Sequence, residues 1–233
     1  MTLGDNKHDE TLIEETKNLI TKYSVRAYER KLTAAAGGNV SARIGNSEQF
    51  LITATGLSLG DTRPDNIIMI DIEGKKIGGP EGFLPSKETG MHLAVYKRYP
   101  AVGGVVHVHP NFCNVWAAKG SGILHPTITA KAKLGQTPWV DPAGAGSEAL
   151  RNSVDEVLSN INDDSVHTIL LRRHGTISFG PNVIEAFLRV DLAEEQAKLA
   201  YYLELASVKV AFESKDPRSL SDHCIHLISI VSI

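Results

Sequence analysis

The sequence contains few of the features that mark secreted or membrane proteins. Among its 233 residues are only 2 cysteines, Cys113 and Cys224, too few for the disulfide framework of a secreted domain. The late apolar run at residues 227–233 is far shorter than the roughly 20 residues that a membrane-spanning helix needs. Residues 1–10 are polar and charged, unlike a signal peptide. These absences predict a cytoplasmic protein without a membrane partner.

Charge of one sign and nucleotide-binding motifs are also lacking. The formal net charge is −3, so no basic footprint for nucleic acid is present. Neither a P-loop nor a Gly-x-Gly-x-x-Gly fingerprint occurs, which leaves nucleotide binding unsupported. No internal repeat or linker divides the chain. We therefore predict a single domain over residues 1–233, with residues 1–8 and 214–233 as tails.

Apolar spacing predicts a mixture of helices and strands. Helices are expected at residues 9–32, 111–118, 147–160 and 183–208. A further helix is expected to begin after Ser86, which serves as its N-cap. Strands are expected at residues 40–44, 50–53, 66–72, 102–108 and 168–171. Such a mixture predicts a layered α/β domain. Because some strands are joined by short turns, at least part of the sheet should be antiparallel.

The clearest chemical signal is His107-Val108-His109 at the end of a predicted strand. Side chains at i and i+2 of a strand point the same way, so both imidazoles can bind one metal ion. His174, which follows another apolar strand, is the natural third ligand, and three histidines with an open position are typical of catalytic zinc. Alone, His-x-His is more often a hydrogen-bonded pair. A fully protein-liganded structural site, or a rival cluster at His223, Cys224 and His226, is an alternative.

Glu88 is the candidate acid/base, and the segment before it is a candidate anion site. Ser86, Lys87 and the backbone N–H groups of a helix start can together bind a phosphate. The loops at Gly37-Gly38-Asn39 and Thr55-Gly56 can also offer N–H groups to an anion. Alone, each segment is more often an ordinary cap or turn.

Taken together, these motifs resemble the class II sugar-phosphate aldolase and adducin head family. That family includes L-fuculose-phosphate aldolases, L-ribulose-5-phosphate 4-epimerases and the non-enzymatic adducin head domain. The resemblance covers residues 10–210 and rests on five motifs in family order: Gly38-Asn39-Val40-Ser41, Thr53-Ala54-Thr55-Gly56, Pro85-Ser86-Lys87-Glu88 with His92, Val105-Val106-His107-Val108-His109, and His174-Gly175.

The resemblance implies a three-layer α/β/α sandwich with a largely antiparallel sheet, and a homotetramer with active sites between subunits. It implies one divalent metal ion per subunit, Zn²⁺ or alternatively Mn²⁺ or Co²⁺. The implied roles are metal ligation by His107, His109 and His174, acid/base catalysis by Glu88, and phosphate binding by Asn39, Thr55, Gly56 and Ser86. Lys87 stands where aldolases often have a second serine, and it still suits an anion.

The resemblance further implies a lyase that cleaves a small phosphorylated ketose, similar to fuculose 1-phosphate, through a metal-stabilised enediolate. Glu88 would protonate this intermediate, which calls for a carboxyl pKa raised by burial. Epimerase, dehydratase and sugar-acid decarboxylase activities on the same site are alternatives, as is a non-catalytic adducin-like domain. Aldol cleavage is preferred because Glu88 is present and residues 125–129 lack the aspartate of the epimerases.

Overall fold

The structure is a computed structural model that describes residues 3–160 and 166–213. The sheet is built from β1 (Asn39–Arg43), β2 (Gln49–Thr53), β3 (Ile67–Asp71), β4 (Lys76–Gly78), β5 (Gly104–Val108), β6 (Trp139–Val140), β7 (Thr168–Leu171) and β8 (Gly175–Gly180). The helices are α1 (Leu3–Glu29), α2 (Thr89–Arg98), α3 (Asn111–Lys119), α4 (Ile128–Leu134), α5 (Glu148–Asn160) and α6 (Val183–Glu213).

The strands form one 8-stranded sheet in the order β4-β3-β2-β1-β5-β8-β7-β6. Neighbouring strands are antiparallel except for the edge pair β6 and β7, which is parallel. The two central strands, β1 and β5, pair with Asn39 opposite His107. Polar residues that the sequence predicted at separate strand ends are therefore brought to the middle of the sheet.

One face of the sheet is covered by α2 and α5, and the other by α1 and α6. Strand β5 shows why both faces are buried, since its side chains alternate between them. Val105 packs in the cluster that contains residues of α2 and α5. Val106 and Val108 pack in the cluster that contains residues of α1 and α6. The expected three-layer sandwich with a largely antiparallel sheet is confirmed.

A third apolar cluster joins α3, α4 and the middle of α6 at one end of the molecule. Trp116 of α3 is buried in this cluster, and its indole N–H donates a 2.9 Å hydrogen bond to the backbone oxygen of Ala197. This cluster fixes α3 beside the carboxyl end of β5. Among the described helices, none combines the length and apolarity needed to cross a membrane.

Some predicted boundaries differ from the observed ones. Helix α1 already begins at Leu3, so residues 3–8 of the expected tail are helical, while the expected tail 214–233 lies outside the described residues. Helix α2 begins at Thr89, with Glu88 rather than Ser86 at its N-cap position. The reason is tertiary: the Ser86 N–H donates to the Thr53 oxygen, and Pro85 forms a β-bridge with Ala54.

Candidate metal centre

The sheet brings three separate chain segments to the carboxyl end of β5. His107 lies near the end of this strand and His109 follows it. His174 lies in the tight turn between β7 and β8, where Arg173 adopts a left-handed φ of 57°. Because β8 pairs with β5, and Thr176 lies opposite Val108, this turn is held next to the His107-Val108-His109 segment.

Glu88, His107, His109 and His174 form one cluster. One potential ligand atom from each side chain lies within 4.8 Å of the others. Glu88 Oε2 is 3.2 Å from His107 Nε2, and Glu88 Oε1 is 3.0 Å from His174 Nε2. The Nε2 atoms of His107 and His109 are 3.0 Å apart. Imidazole nitrogens with a carboxylate oxygen are a donor set that zinc and similar divalent ions prefer, so these residues fit a metal ion.

The orientation of the His107 ring also suits coordination of a metal ion. Its Nδ1 lies 3.1 Å from the backbone oxygen of Thr176, an acceptor that requires a proton on Nδ1. Because Nδ1 is occupied by this acceptor, Nε2 is the nitrogen that His107 offers to a metal ion. His107 has no exposed side-chain surface, whereas Glu88 and His174 retain 11% and 13% exposure. The cluster is thus closed on the protein side and reachable from solvent on the other.

Two glycines make room for the His109 ring. A Cβ on Gly37 would lie 2.7 Å from His109 Nδ1. A Cβ on Gly175 would lie 2.6 Å from His109 Cδ2 and 2.5 Å from the backbone oxygen of Val108. Because real Cβ atoms do not approach other atoms so closely, both positions require glycine. The Gly-Gly-Asn and His-Gly motifs therefore have a packing role at the cluster.

The electrostatics of the cluster differ from expectation at Glu88. Burial raises the pKa of this carboxyl group, but hydrogen bonds from His107, His174 and Asn39 outweigh burial and hold the pKa well below its ordinary value. The expectation that the pKa of Glu88 is raised was therefore wrong for the metal-free protein. That expectation took account of burial but not of the hydrogen bonds. Burial, together with the neighbouring His107 and His174, lowers the pKa of His109 to about 4. The neutral imidazole is the form that binds metal.

The three candidate phosphate segments do not behave alike. Residues 53–56 and 84–86 run side by side, since the Thr55 N–H donates to the Leu84 oxygen. Gly56 and Lys87 are exposed there, and nothing lies within 4 Å of the Cβ position of Gly56. Ser86 is buried, and its hydroxyl accepts a 3.2 Å hydrogen bond from the Glu88 N–H.

Asn39, in contrast, is fully engaged within the protein. Its Nδ2 donates to Glu88 Oε2 at 2.9 Å, and its Oδ1 lies 2.6 Å from His92 Nε2. The structure therefore places Asn39 against the carboxylate of the cluster. The exposed residues Gly56 and Lys87 therefore offer a more accessible surface to an anion than the Asn39 side chain does.

Sequence reasoning assigned no role to three residues that lie behind Asn39: Ser41, His92 and Tyr96. His92 Nδ1 is 2.7 Å from the Ser41 hydroxyl, which is 2.9 Å from the Tyr96 hydroxyl. A signal for this network exists in the sequence. Glu88, His92 and Tyr96 recur at i, i+4 and i+8 along one side of α2, and residues at such spacing lie on one face of a helix.

Helix α3 is tied to α6 close to the cluster. The Glu194 carboxylate accepts hydrogen bonds from the backbone N–H groups of Phe112 at 3.0 Å and Cys113 at 2.9 Å. Cys113 is buried, and burial raises the pKa of its thiol well above the ordinary value, so it packs as a small apolar residue. The rival cluster at His223, Cys224 and His226 lies outside the described residues.

Comparison with known proteins gives a consistent result. Residues 18–201 match the family described as Class II Aldolase and Adducin N-terminal domain. An L-fuculose phosphate aldolase from Methanococcus maripaludis is 32% identical, over 76% of this chain and 91% of its own length. The L-ribulose-5-phosphate 4-epimerase UlaF from Salmonella paratyphi C is 30% identical, over 70% and 74%. A 3-oxo-tetronate 4-phosphate decarboxylase from Haemophilus influenzae is 28% identical, over 81% and 88%.

Solved structures resemble the whole architecture. YgbL from Escherichia coli matches with a TM-score of 0.73 at 23% identity, covering 82% of this chain and 90% of its own. The L-fuculose-1-phosphate aldolase from Thermus thermophilus matches with a TM-score of 0.70 at 25% identity, covering 82% and 94%. The fold expected from the sequence motifs is confirmed.

Proposed function

Because this chain belongs to the class II aldolase and adducin N-terminal domain family and is a class II aldolase-type enzyme, we propose that it cleaves a small phosphorylated ketose by retro-aldol chemistry. The fuculose phosphate aldolases among its relatives suggest a substrate that resembles fuculose 1-phosphate. The observation that carries the proposal is the cluster in which Glu88 contacts both His107 and His174 beside His109.

In this proposal His107, His109 and His174 hold one divalent metal ion, with Zn²⁺ as first choice and Mn²⁺ or Co²⁺ as alternatives. The choice of zinc is supported by three imidazole donors and the tautomer imposed on His107 by the Thr176 oxygen. When bound, the metal supplies a Lewis acid that stabilises negative charge on a carbonyl oxygen. Class II aldolases use such an ion.

Glu88 is proposed to carry the proton of the reaction. In retro-aldol cleavage, the hydroxyl that becomes the aldehyde oxygen loses its proton to a base as the carbon–carbon bond breaks. The phosphorylated fragment is left as an enediolate, whose carbon must then be protonated. The hydrogen bond that Asn39 donates to Glu88 Oε2 suits the reverse direction, in which Glu88 acts as a base and removes that proton. By microscopic reversibility, the same group returns the proton during cleavage.

The substrate phosphate is proposed to bind along residues 55–56 and 86–87, with the Asn39 segment closing the site. This assignment is supported by the exposure of Gly56 and Lys87 next to the cluster. A lysine ammonium here adds charge that a serine would not, which favours a dianionic group. Asn39 contributes by orienting Glu88, according to its 2.9 Å hydrogen bond.

Epimerisation, dehydration and decarboxylation of related phosphates pass through the same kind of intermediate and could use the same residues. The epimerase and decarboxylase relatives keep these alternatives open. A non-catalytic domain is disfavoured because Glu88 and the three histidines are all present and in contact. A homotetramer with active sites between subunits, and a location in the cytoplasm, remain predictions.

The test combines metal analysis with a substrate panel. Purified protein is assayed for bound zinc, manganese and cobalt, and then with L-fuculose 1-phosphate, L-ribulose 5-phosphate and 3-oxo-tetronate 4-phosphate. We expect stoichiometric metal and release of dihydroxyacetone phosphate from the first substrate. Epimer formation or carbon dioxide release instead would identify one of the alternative activities, and a protein without metal or turnover would refute the proposal.

The variant Glu88→Gln tests the proton transfer itself. We expect it to retain metal and to lose solvent exchange of the carbon-bound hydrogen of dihydroxyacetone phosphate by about 10²- to 10⁴-fold, the usual contribution of a general acid–base group. The matched control is Glu73→Gln, because the Glu73 side chain is 76% exposed and forms an ion pair with Lys97, away from the cluster. Undiminished exchange in Glu88→Gln would contradict the assigned role.

A further inference from the structure

A buried polar chain leads from the interior of the protein to Glu88. Tyr96, Ser41, His92 and Asn39 are 0–3% exposed, and consecutive polar atoms along the chain lie 2.9, 2.7 and 2.6 Å apart. The last link is the 2.9 Å hydrogen bond from Asn39 to Glu88 Oε2. We refer to these side chains together as the buried polar chain. It connects two positions of β1 with one face of α2.

The hydrogen bonds of this chain can run in one direction only. The Asn39 Nδ2 donates to Glu88 Oε2, so the NH₂ group of Asn39 faces Glu88 and its oxygen faces His92. That oxygen needs a donor, so His92 must carry its proton on Nε2. The unprotonated Nδ1 of His92 then accepts from the Ser41 hydroxyl, which in turn accepts from Tyr96.

The opposite arrangement would act against the site. If His92 carried its proton on Nδ1, its Nε2 could only accept, and the Asn39 amide would have to turn over. The Asn39 oxygen would then face Glu88 Oε2 at the present 2.9 Å separation, which places two acceptors against each other. The tautomer of a fully buried histidine therefore decides whether Glu88 is held in place or repelled.

We propose that His92 is a positioning residue, which is fixed as its Nε2–H tautomer by Ser41 and Tyr96 and which locks the Asn39 amide so that it holds the Glu88 carboxylate against the histidine cluster. His92 has no exposed surface, so a bound substrate could not reach it in this structure. Its effect on the reaction therefore passes through Asn39. The inference rests on the proposed function, since the purpose of the locked orientation is to aim the group that transfers the proton.

A purely structural role is the competing explanation, because buried polar groups must be hydrogen-bonded wherever they occur. Another part of the protein offers a matched control. Thr168 Oγ1 and Ser178 Oγ form a 2.8 Å hydrogen bond between β7 and β8, and both residues are 0% exposed. This pair is as deeply buried as the polar chain and also joins two side chains, but it bonds strand to strand and lies outside the chain that reaches Glu88.

The first experiment compares His92→Phe, His92→Gln and the control Thr168→Val in the metal-loaded full chain. For His92→Phe we expect kcat and carbon-bound hydrogen exchange to fall together by about 10- to 100-fold, as is usual for residues that orient a catalytic group. Metal content and KM should stay unchanged. His92→Gln can still donate to Asn39 and should recover much of the loss, while Thr168→Val should lose stability without losing kcat.

Wild-type kcat in His92→Phe, or an equal loss of kcat in Thr168→Val, would overturn the proposal. A second measurement needs no turnover. Nitrogen-15 NMR of labelled histidine should show His92 as the Nε2–H tautomer, and Ser41→Ala should shift it toward a mixture. An Nδ1–H tautomer in the wild type refutes the positioning role. Failure of the proposed function would appear separately, as absent turnover with the expected tautomer.

Discussion

The two faces of the central strand pair differ sharply although they share the same backbone. Toward α1 and α6, β1 and β5 present Val40, Ala42, Val106 and Val108, all in one apolar cluster. Toward α2, the same strands carry Asn39, Ser41 and His107 at alternating positions, and these side chains are equally buried. On these two strands, one face is packed by apolar contacts, whereas the other combines the apolar contacts of Val105 with a connected set of hydrogen bonds.

This difference separates stability from chemistry. Apolar burial contributes about 25 cal/mol per Å² and tolerates small shifts in geometry. A buried polar group contributes little net stability and costs about 1–3 kcal/mol if its partner is lost, so every member must be in place. The polar residues of β1 and β5 therefore fix the geometry at Glu88, while the apolar clusters on the two sides of the sheet provide the stability that makes such burial tolerable.

The apolar face should show the largest effect on stability. Phe187 of α6 is fully buried, and its ring centroid lies 5.2 Å from that of Tyr23. We expect Phe187→Ala to lower the free energy of unfolding by about 3–5 kcal/mol, because it removes apolar contacts and leaves a cavity. Urea denaturation measures the loss, and Leu188→Ala, at a position that is 45% exposed, is the control. A reduced kcat per folded molecule would contradict the inference that this apolar face affects stability and not catalysis.

A hydroxyl on the apolar face should be tolerated less well than those on the polar face. Val106→Thr keeps the side-chain shape but places a polar atom in the α1 and α6 cluster. We expect a loss of about 1–3 kcal/mol in the free energy of unfolding, because the new hydroxyl is buried and its cross-strand neighbour, Ser178, is already hydrogen-bonded to Thr168. Val115→Thr, at a position that is 36% exposed, should change little. Equal stability of Val106→Thr and wild type would contradict this view.

The polar face should also make stability depend on pH. The pKa of His92 is lowered from 6.5 to about 3. Burial is the largest cause and electrostatic interaction with His107 is the second, whereas Glu88 acts to raise this pKa. Asn39, Ser41 and Tyr96, its hydrogen-bonding neighbours, carry no charge in this range. Between these two values, the unfolded chain binds a proton that the folded chain does not. Lowering the pH therefore favours unfolding, and stability is complete only above pH 6.5.

We expect this contribution to approach, at most, about 1.4 kcal/mol per pH unit, the limit for one proton. The measurement is the free energy of unfolding against pH for metal-free wild type and His92→Gln. The slope between pH 3 and 6.5 should be smaller in the variant, because it lacks the titrating group. Parallel curves would show that His92 is not kept neutral by the fold.

Much of the site was predictable from local patterns. The strand alternation of His107 and His109, and the position of His174 after an apolar strand, predicted that the imidazoles could converge. The start of α2 was not predictable, because the Ser86 N–H is hydrogen-bonded to the oxygen of Thr53, which is far away in sequence. The prediction that the pKa of Glu88 is raised was wrong for the same reason. Hydrogen-bond partners come from strand pairing, which a sequence pattern does not specify.

The buried polar chain was predictable only in part. Its spacing on α2 is visible in the sequence, and so is the i, i+2 spacing of Asn39 and Ser41 on β1. What the sequence does not contain is the packing of α2 against that face of β1. The register of β1 on β5, with Asn39 opposite His107, supplies this information and can only be read from the folded chain.

The distance along the chain between the clustered residues has a consequence for folding. Glu88, His107 and His174 meet only after β5 has paired with β8, a contact between distant parts of the sequence. Long-range pairing of this kind forms slowly compared with local helices. We therefore expect a divalent ion held by His107, His109 and His174 to bind the completed fold and not the unfolded chain. Its concentration should raise the melting temperature by mass action, with little effect on the earliest steps of folding.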